Sequence, residues 1–395
     1  MSVQSACAPM IESRSRLAAA RVLTVGGASV EHSYAIPGEF EPDTKYSTPP
    51  QPRLAGGSSV NHACRLLAMG IDVHAVVPLA KADPLSAVIV RALEEAEQTG
   101  EASFRRGDLF VRGADLTTPY TTIIRQGASR AALNEFAPAL MERFGEHLDR
   151  HLAAVEGARR PPDLVAIGHL HADRRRAGSG EPGFGGALTE KILRAKSLAG
   201  ARRFVNFGSA QYELGAGHWE TLLRDHVDVF QLDIGEARRF CRDAGLPNTS
   251  LESIFGWFRG RCTVVISLER FGAIGQLAES DAPVAAWPYL LEQVVDSTGA
   301  GDAMGAGIMT AMLANPFDLE EDTPGARAEK FAGALAFGRV CAAHACTTVG
   351  GAHDCPDLGG LRRFERRAKL PAREEGRIRA VTPHELFLID RAFDR

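Results

Sequence analysis

The chain is poor in the features that mark secreted and membrane proteins. Its 395 residues include only 7 cysteines, an odd number, and the N-terminus has no continuous apolar stretch. These features favour reduced thiols in the cytosol over a disulfide framework, and they give no secretion signal. The longest apolar runs are interrupted by Arg339 or His344, which disfavours a membrane span. We therefore expect a cytoplasmic protein.

The chain also has no large excess of positive or negative charge. The formal net charge is -4 and the isoelectric point is near 6.3, so nothing attracts the whole chain to nucleic acid or to acidic membranes. Hydrophobic residues make up 45% of the sequence, which is enough for a sizeable core in one large domain or two smaller ones. Small molecules are the expected partners.

The pattern of apolar runs predicts the fold class. Helical stretches at 136–155 and 186–198 alternate with short apolar runs. Strands that alternate with helices predict an α/β fold with a doubly wound, mostly parallel sheet, whose ligands bind beyond the carboxyl ends of the strands. The predicted strands are residues 21–27, 73–78, 164–168, 203–207, 227–232 and 263–268.

The most informative segment is 294–308, which reads VVDSTGAGDAMGAGI. Gly299, Ala300 and Gly301 have little or no side chain, so their N–H groups can converge on one anion, and a helix that starts near Asp302 adds its dipole there. A carboxylate at a phosphate-binding turn needs a chemical role, and accepting the proton of an attacking hydroxyl is the obvious one. The segment therefore indicates phosphoryl transfer to an alcohol.

A second glycine-rich block precedes it in the sequence. Residues 54–70 read LAGGSSVNHACRLLAMG, with a glycine pair followed by Asn61 on the first turn of a predicted helix. Asn61 taken alone would more simply be a helix cap or a buried amide. Together, the two blocks resemble the N-terminal and C-terminal signatures of the ribokinase-like (PfkB) family of carbohydrate and nucleoside kinases. The resemblance spans about residues 21–357.

The resemblance implies a three-layer α/β/α domain over residues 21–358 with a small β-sheet lid. Two segments too long for plain connectors, about 33–54 and 102–125, are assigned to this lid, with simple loop insertions as the alternative. Residues 1–20 form an N-terminal extension and 359–395 a basic C-terminal one, whose apolar patch predicts a docking helix or a dimer contact. Lid sheets of this family often pair between subunits, so a homodimer is a further expectation.

The resemblance also implies an ATP-dependent kinase that acts on a sugar, a sugar derivative or a nucleoside. Asp302 matches the catalytic base, and Gly299–Gly301 matches the anion hole. Asn61 and Glu31, with close backbone approach at Gly56 and Gly57, would hold the acceptor.

Other matched positions concern the nucleotide and its ions. Asp233 and Glu236 fall on the motif that organises Mg²⁺ and phosphates, often through water, and Asp296 falls where the family helps to hold a monovalent cation such as K⁺. The remaining nucleotide-binding expectations are Ser267, Glu269, Gly272 and Thr298. Three positions depart from the family: Asp233 replaces Asn, Glu269 replaces Gly, and Glu31 replaces Asp.

These departures motivate an alternative function, a catalytically weak member that binds a ligand or regulates. A nicotinamide-dependent dehydrogenase is disfavoured, because the glycine motif at 178–183 contains Pro182 and lacks both a preceding strand and an acidic partner. The basic loop at 169–176 could bind an anionic acceptor, although a solvated loop is the simpler interpretation.

Overall fold

The computed structural model describes residues 5–36, 38, 43–49, 51–106, 109–113, 115–126, 129–158, 160–171, 188–212, 214–317, 322–368 and 378–393. In this part of the chain, no helix combines the length and the apolar character that crossing a membrane requires.

A nine-stranded sheet forms the centre of the molecule. Its strands are β1 (Arg21–Val25), β4 (Asp72–Val76), β7 (Leu164–Ile167), β8 (Arg202–Asn206), β9 (Val229–Asp233), β10 (Thr263–Ser267), β11 (Ala273–Gln276), β12 (Val284–Ala286) and β13 (Arg379–Ala380). Six neighbouring strands are parallel, in the order β4-β1-β7-β8-β9-β10, and three antiparallel strands, β11, β12 and β13, extend the sheet beyond β10.

Helices cover both faces of this sheet and create two hydrophobic cores. Neighbouring residues of β1 point to opposite faces, so Val22 packs in one core while Leu23 and Val25 pack in the other. Burial on both faces explains why the parallel strands read as continuous apolar runs rather than alternating ones.

One helical layer contains α1 (Ala8–Glu12), α2 (Arg14–Ala19), α3 (Ser58–Ala68), α4 (Ser86–Gly100), α11 (Ala300–Ala314), α12 (Pro324–Ala345) and α13 (Leu358–Arg367). The other contains α5 (Pro138–Glu156), α6 (Leu188–Arg194), α7 (Ser209–Tyr212), α8 (Ala216–His226), α9 (Ile234–Asp243), α10 (Leu251–Phe258) and α14 (Pro383–Phe393).

Small residues bring α11 and α12 unusually close together. A Cβ atom added to Gly307 would lie 2.8 Å from Gly338 Cα, and one added to Gly338 would lie 3.0 Å from the Met304 carbonyl oxygen. Side chains at these positions would separate the two helices. The small-residue pattern of α11 therefore seats this helix against the core and sets the position of its N-terminus.

A separate four-stranded sheet consists of β2 (Ser29–Ala35), β3 (Arg53–Gly56), β5 (Tyr120–Gln126) and β6 (Ser129–Glu135). Its strands are arranged in the order β3-β2-β5-β6. This small sheet begins before the first predicted lid segment and ends after the second, and β6 was not predicted. Phe104 and Val111, which fall in the second predicted segment, instead form single bridges to Val73 and Ala80 of the main domain.

The two ends of the chain fold onto the domain. The N-terminal extension forms α1 and α2, and α2 packs against α11. At the other end, β13 joins the edge of the main sheet and α14 packs against α10, where Asp390 accepts hydrogen bonds from the Leu251 N–H over 2.9 Å and from Arg238 over 3.2 Å. The predicted docking helix thus docks on its own chain.

The predicted fold class, an α/β fold with a doubly wound, mostly parallel sheet and an additional small sheet, is confirmed. All six predicted strands exist, with bounds displaced by two residues or fewer. The first two residues of the predicted helix at 186–198 lie outside the described residues.

Candidate active site

Both glycine-rich blocks meet at the carboxyl-end edge of the parallel strands. There, β1 ends next to Gly26 and Gly27, and a Cβ atom added to Gly57, at the start of α3, would lie 2.6 Å from the Gly27 carbonyl oxygen. Gly57 also has φ of 91°, a conformation that favours glycine. The glycine pair therefore lets α3 begin in direct contact with the end of β1.

The turn into α11 also requires glycine. Gly299 precedes the helix with φ of 74°, and an added Cβ would lie 2.4 Å from Gly351 Cα. Gly301, by contrast, has normal helical geometry and only one ordinary contact for an added Cβ, at 3.8 Å from Gln231 Nε2. The first N–H groups of a helix have no partner within it, so those of this turn are candidates to bind an anion. The Ala300 N–H also donates to the Ser297 carbonyl oxygen over 3.2 Å.

Asp302, on the first turn of α11, is held by Asn61 of α3. The Asn61 side-chain amide donates a hydrogen bond to Asp302 Oδ2 over 2.7 Å. Asn61 is itself enclosed, because a Cβ added to Gly351 would lie between 2.4 and 2.7 Å from its amide atoms. The sequence analysis assigned Asn61 to the acceptor; the structure uses its amide nitrogen to position the predicted base.

Two further polar residues lie beneath Asp302 and were not identified from the sequence. His62 is fully buried, with Nε2 3.7 Å from Asp302 Oδ1, and burial lowers the pKa of its imidazole although the charge of Asp302 opposes this shift. Gln231 of β9 donates from Nε2 to the Gly301 carbonyl oxygen over 2.8 Å. Gly305 leaves room for both, since an added Cβ would lie 2.7 Å from Gln231 Oε1 and 3.0 Å from His62 Nε2.

A sequence signal for these two residues existed. Gln231 interrupts an otherwise apolar strand, and a polar residue at such a position must find a partner once it is buried. No comparable signal marked His62, because nothing in the local pattern shows which way its ring points.

Glu31 lies on β2 of the small sheet, next to the second glycine-rich block. Its side chain crosses Gly56 so closely that an added Cβ there would lie 2.0 Å from Glu31 Oε1. Glu31 pairs with Leu54, which contacts the Gly350–Gly351 loop that also encloses Asn61. The predicted acceptor residues Glu31, Gly56 and Gly57 are thus brought together, and Leu54 connects them to the loop that encloses Asn61.

Two further polar side chains of the small sheet lie in register with Glu31. Glu31 is paired with Thr121 of β5, and Thr121 is paired with Asn134 of β6. The Thr121 hydroxyl donates to Asn134 Oδ1 over 2.9 Å. Glu31, Thr121 and Asn134 therefore form a line of oxygen-bearing side chains, of which the sequence analysis identified only the first.

Asp233 and Glu236 lie at the end of β9 and the start of α9, where they form a capping box. Asp233 Oδ1 accepts from the Glu236 N–H over 2.7 Å, and Glu236 Oε2 accepts from the Asp233 N–H over 2.9 Å. Burial, then the charges of Asp233 and Asp302, raise the pKa of Glu236 to about 8. The influence of Asp302 shows that both ends of the site share one electrostatic environment.

The buried phenol of Tyr212 belongs to the same environment. Burial, and next the charge of Glu236, raise its pKa well above the ordinary value for tyrosine. Tyr212 thus remains neutral beside the capping box and was another residue that the sequence analysis missed.

Ser267, Glu269 and Gly272 follow the next strand along the edge. Ser267 is paired with Asp233 across the parallel strands β10 and β9, which places it beside the capping box. Glu269 is exposed in a turn with φ of 49°, and Gly272 has φ of 94°, where an added Cβ would lie 2.2 Å from the Ala286 carbonyl oxygen. Gly272 therefore shapes this loop by close backbone contact.

Asp296 organises the loop that leads into α11. Its two carboxylate oxygens accept hydrogen bonds from the Thr298 N–H over 2.9 Å and from the Gly350 N–H over 3.2 Å. Partial burial favours the neutral carboxyl, but these hydrogen bonds and the charge of Arg125 outweigh it and lower the pKa of Asp296. Asp296 thereby links the Gly299 turn to the Gly350–Gly351 loop.

The described residues contain no cluster of three or more His, Cys, Asp or Glu side chains suited to hold a metal ion by themselves. The donor set at the capping box nevertheless suits a hard cation, because carboxylate oxygens are what Mg²⁺ takes from proteins, often with only one or two per site. Burial is the main cause of the raised pKa of Glu236, and a divalent cation bound there would favour its charged form.

The loop after β7 is described only in part. His169 packs at the strand end, where its N–H donates to Ser58 Oγ over 2.8 Å and its Nε2 lies 2.8 Å from Asn206 Oδ1. The arginines at 174–176 and the glycine motif at 178–183 lie outside the described residues.

Comparisons with known proteins agree with this geometry. The family model described as pfkB family carbohydrate kinase matches residues 177–358. No curated protein matches the chain. The resemblance to this family is therefore confirmed over the matched region, which includes Asp233, Glu236 and the whole turn into α11, whereas the first block at 54–70 lies outside it.

Solved structures of sugar and nucleoside kinases share the fold. A ribokinase from Giardia lamblia has a TM-score of 0.65 and 16% identity over 87% of this chain and 99% of its own. An inosine-bound nucleoside kinase from Burkholderia thailandensis has a TM-score of 0.61 and 16% identity over 88% of this chain and 100% of its own. An Arabidopsis thaliana ribokinase complexed with ribose and ATP has a TM-score of 0.59 and 17% identity over 88% and 99% of the two chains. The chain is thus ribokinase-like in its fold.

Proposed function

We propose that this chain is an ATP-dependent kinase that transfers the γ-phosphate to a hydroxyl of a sugar, a sugar derivative or a nucleoside. The observation that carries the proposal is the junction of α3 with α11, where Asn61 holds the carboxylate of Asp302 next to the open N-terminal turn of α11. An oriented base and an anion site on one helical turn are what phosphoryl transfer to an alcohol requires.

In this proposal Asp302 accepts the proton of the attacking hydroxyl. Its side chain is 17% exposed, so the acceptor can reach it, while Asn61 fixes one of its oxygens. The buried neutral ring of His62 lines the other side of the carboxylate and keeps water from it.

The backbone N–H groups around Gly299, Ala300 and Gly301 would stabilise the charge that builds on the transferred phosphoryl oxygens. They are fixed before the reaction by the glycine turn and by the packing of α11, so they need no reorganisation as that charge develops. Loss of one such donor typically costs about 3 kcal/mol of transition-state stabilisation.

The nucleotide would lie along the ends of β9 and β10, near Ser267, Glu269, Gly272 and Thr298. Asp233 and Glu236 would hold Mg²⁺ through water, and this ion would neutralise phosphate charge when bound. Asp296, which joins the two loops around Gly299, would support a K⁺ site through the loop backbone.

The acceptor would bind between the strand ends and the small sheet. Glu31, Gly56 and Gly57, with Thr121 and Asn134 in the same row, offer several oxygen atoms to the hydroxyls of a polyol. The small sheet would act as a lid that excludes water, which otherwise competes as phosphoryl acceptor. Inosine and ribose, which are bound in two of the related structures, carry several hydroxyls of the kind that such a row of oxygens suits.

One observation favours the alternative, a weakly catalytic ligand-binding protein. Asp233 and Glu236 already satisfy each other's backbone N–H groups, so a helix cap explains their presence without any metal. Catalytic turnover and its metal requirement separate the two functions.

The deciding experiment is a screen of sugars, sugar phosphates and nucleosides with Mg-ATP, first by thermal shift and then by ADP release. We expect an acceptor-dependent turnover that chelation abolishes and Mg²⁺ or Mn²⁺ restores. Asp302→Asn should lower turnover by about 10² or more while nucleotide binding persists, because the amide cannot accept the proton. Ligand binding without any turnover in the native chain would support the alternative.

A further inference from the structure

The N-terminal segment packs against α13, a helix that begins at the end of the region matched by the family model. The carboxylate of Glu365 on α13 accepts hydrogen bonds from the Ser5 hydroxyl and from the N–H groups of Ala6 and Cys7. These contacts join the start of the chain to α13, and α1 packs on the same helix. The N-terminal segment and α13 therefore form one contact surface.

A cleft of about 300 Å³ opens where α1, α2 and α13 meet. Four of the six residues that line it are arginines, and none is acidic. The lining consists of Ile11, Arg14, Gly359, Arg362, Arg363 and Arg366.

The charge of these arginines is largely uncompensated. Arg363 lies 3.9 Å from an Asp357 oxygen that already accepts the Gly360 N–H over 2.6 Å. Arg14, Arg362 and Arg366 form no ion pair with any residue in the described ranges, and Arg362 Nε is buried there without a hydrogen-bond partner. Glu365, the one acidic residue of α13, is turned to the N-terminal segment instead.

We infer that this cleft binds a small anion with two or more phosphoryl groups. Guanidinium groups match phosphate oxygens in charge and in bidentate geometry. A single carboxylate would leave most of the positive charge unpaired, whereas a diphosphate can engage several arginines at once. The volume of the cleft suits a small molecule, and its concave shape distinguishes it from a flat surface for a macromolecule.

The cleft is separate from the candidate active site and does not depend on the proposed activity. It lies on the segments that hold the far end of α11, because Arg16 of α2 donates to the Ala314 carbonyl oxygen over 3.0 Å. A ligand that bridges Arg14 of α2 and the arginines of α13 would tie the two ends of the chain together. Binding should therefore raise the thermal stability of the whole domain.

The test is calorimetric titration of the full chain with pyrophosphate at low salt and without divalent cations. Arg362→Gln/Arg366→Gln should weaken the pyrophosphate affinity at least ten-fold and remove the thermal shift. Arg367→Gln is the matched control, because this residue lies on the same helix and does not line the cleft. It should leave the affinity within two-fold of the native value.

Circular dichroism establishes that each variant is folded. If the double variant does not fold, the single variant Arg366→Gln replaces it, because Arg366 is exposed. Inorganic phosphate should bind more weakly than pyrophosphate. Equal pyrophosphate affinity in the native and cleft variants would overturn the inference. Equal weakening by Arg367→Gln, or equal affinity for citrate, would overturn it as well, because either would indicate general charge attraction.

Discussion

Asn61 and Asp302, 241 positions apart in the sequence, are joined by a hydrogen bond of 2.7 Å from the amide nitrogen to Oδ2. This bond connects the two glycine-rich blocks physically. It gives Asn61 a role towards the base in addition to any contact with the acceptor.

Asn61→Ala should therefore lower kcat. A hydrogen bond to a charged group is worth about 1.5 to 3 kcal/mol, which corresponds to roughly ten-fold to a hundred-fold in rate. ATP affinity should change by less than two-fold, since the nucleotide candidates lie at β9 and β10. Steady-state kinetics together with nucleotide titration measures both. Ser59→Ala on the same helical turn is the control, because its buried hydroxyl makes no hydrogen bond with any described residue.

A second prediction concerns the acceptor. Glu31→Gln keeps the length of the side chain and removes its charge, so KM for the acceptor should rise about ten-fold while KM for ATP stays the same. Thr121→Val, which removes only the hydroxyl in the same row, should act in the same direction with a smaller effect. Kinetics with both substrates varied decides the matter. An effect confined to ATP would place Glu31 on the wrong side of the cleft.

The two glycines of the α11 turn should respond differently to alanine. Gly299→Ala forces a side chain into positive φ and against Gly351, so the free energy of unfolding should fall by about 2 kcal/mol or more. Gly301→Ala meets only an ordinary contact within a helix and should be neutral or slightly stabilising. Urea unfolding of both variants measures the difference. Equal stability of the two would show that the turn is not constrained.

Acid stability should depend on His147. This ring is buried in α5, and burial, followed by the charges of His151, Arg150, His74 and Arg112, lowers its pKa to about 3. The unfolded chain binds the proton near the ordinary value of 6.5. The contribution of His147 to stability is thus complete above pH 6.5 and is lost as the pH falls from there towards 3, at up to about 1.4 kcal/mol per pH unit.

His147→Gln removes this titration. When the pH is lowered from 7 to 5, the free energy of unfolding should fall in both proteins. The fall should be smaller in the variant than in the native chain, by up to about 2 kcal/mol. Urea unfolding at the two pH values measures it, with the exposed His384→Gln as control. The same pH dependence in native chain and variant would refute the prediction.

Local patterns in the sequence predicted some elements of the fold and missed others. The six strands and the two glycine turns were predictable because apolar runs and positive-φ glycines are local properties of the chain. The small sheet was predicted only in part, since β6 has no strong apolar pattern and is defined by its pairing with β5. Asp233 and Glu236 were identified as a pair from their spacing, and the structure adds that they cap α9.

By itself, the sequence determined the parallel sheet, the glycine turn into α11 and the presence of a carboxylate on its first turn, because these depend on residues close to one another in the chain. The contacts of His62, Gln231 and Asn61 with that turn were decided only by the tertiary structure. Each of these side chains could have served as a cap or a solvated group, and only the packing of α3, β9 and α11 directs them to a single helix end. The arginine cleft was decided in the same way, since neither end of the chain contains it alone.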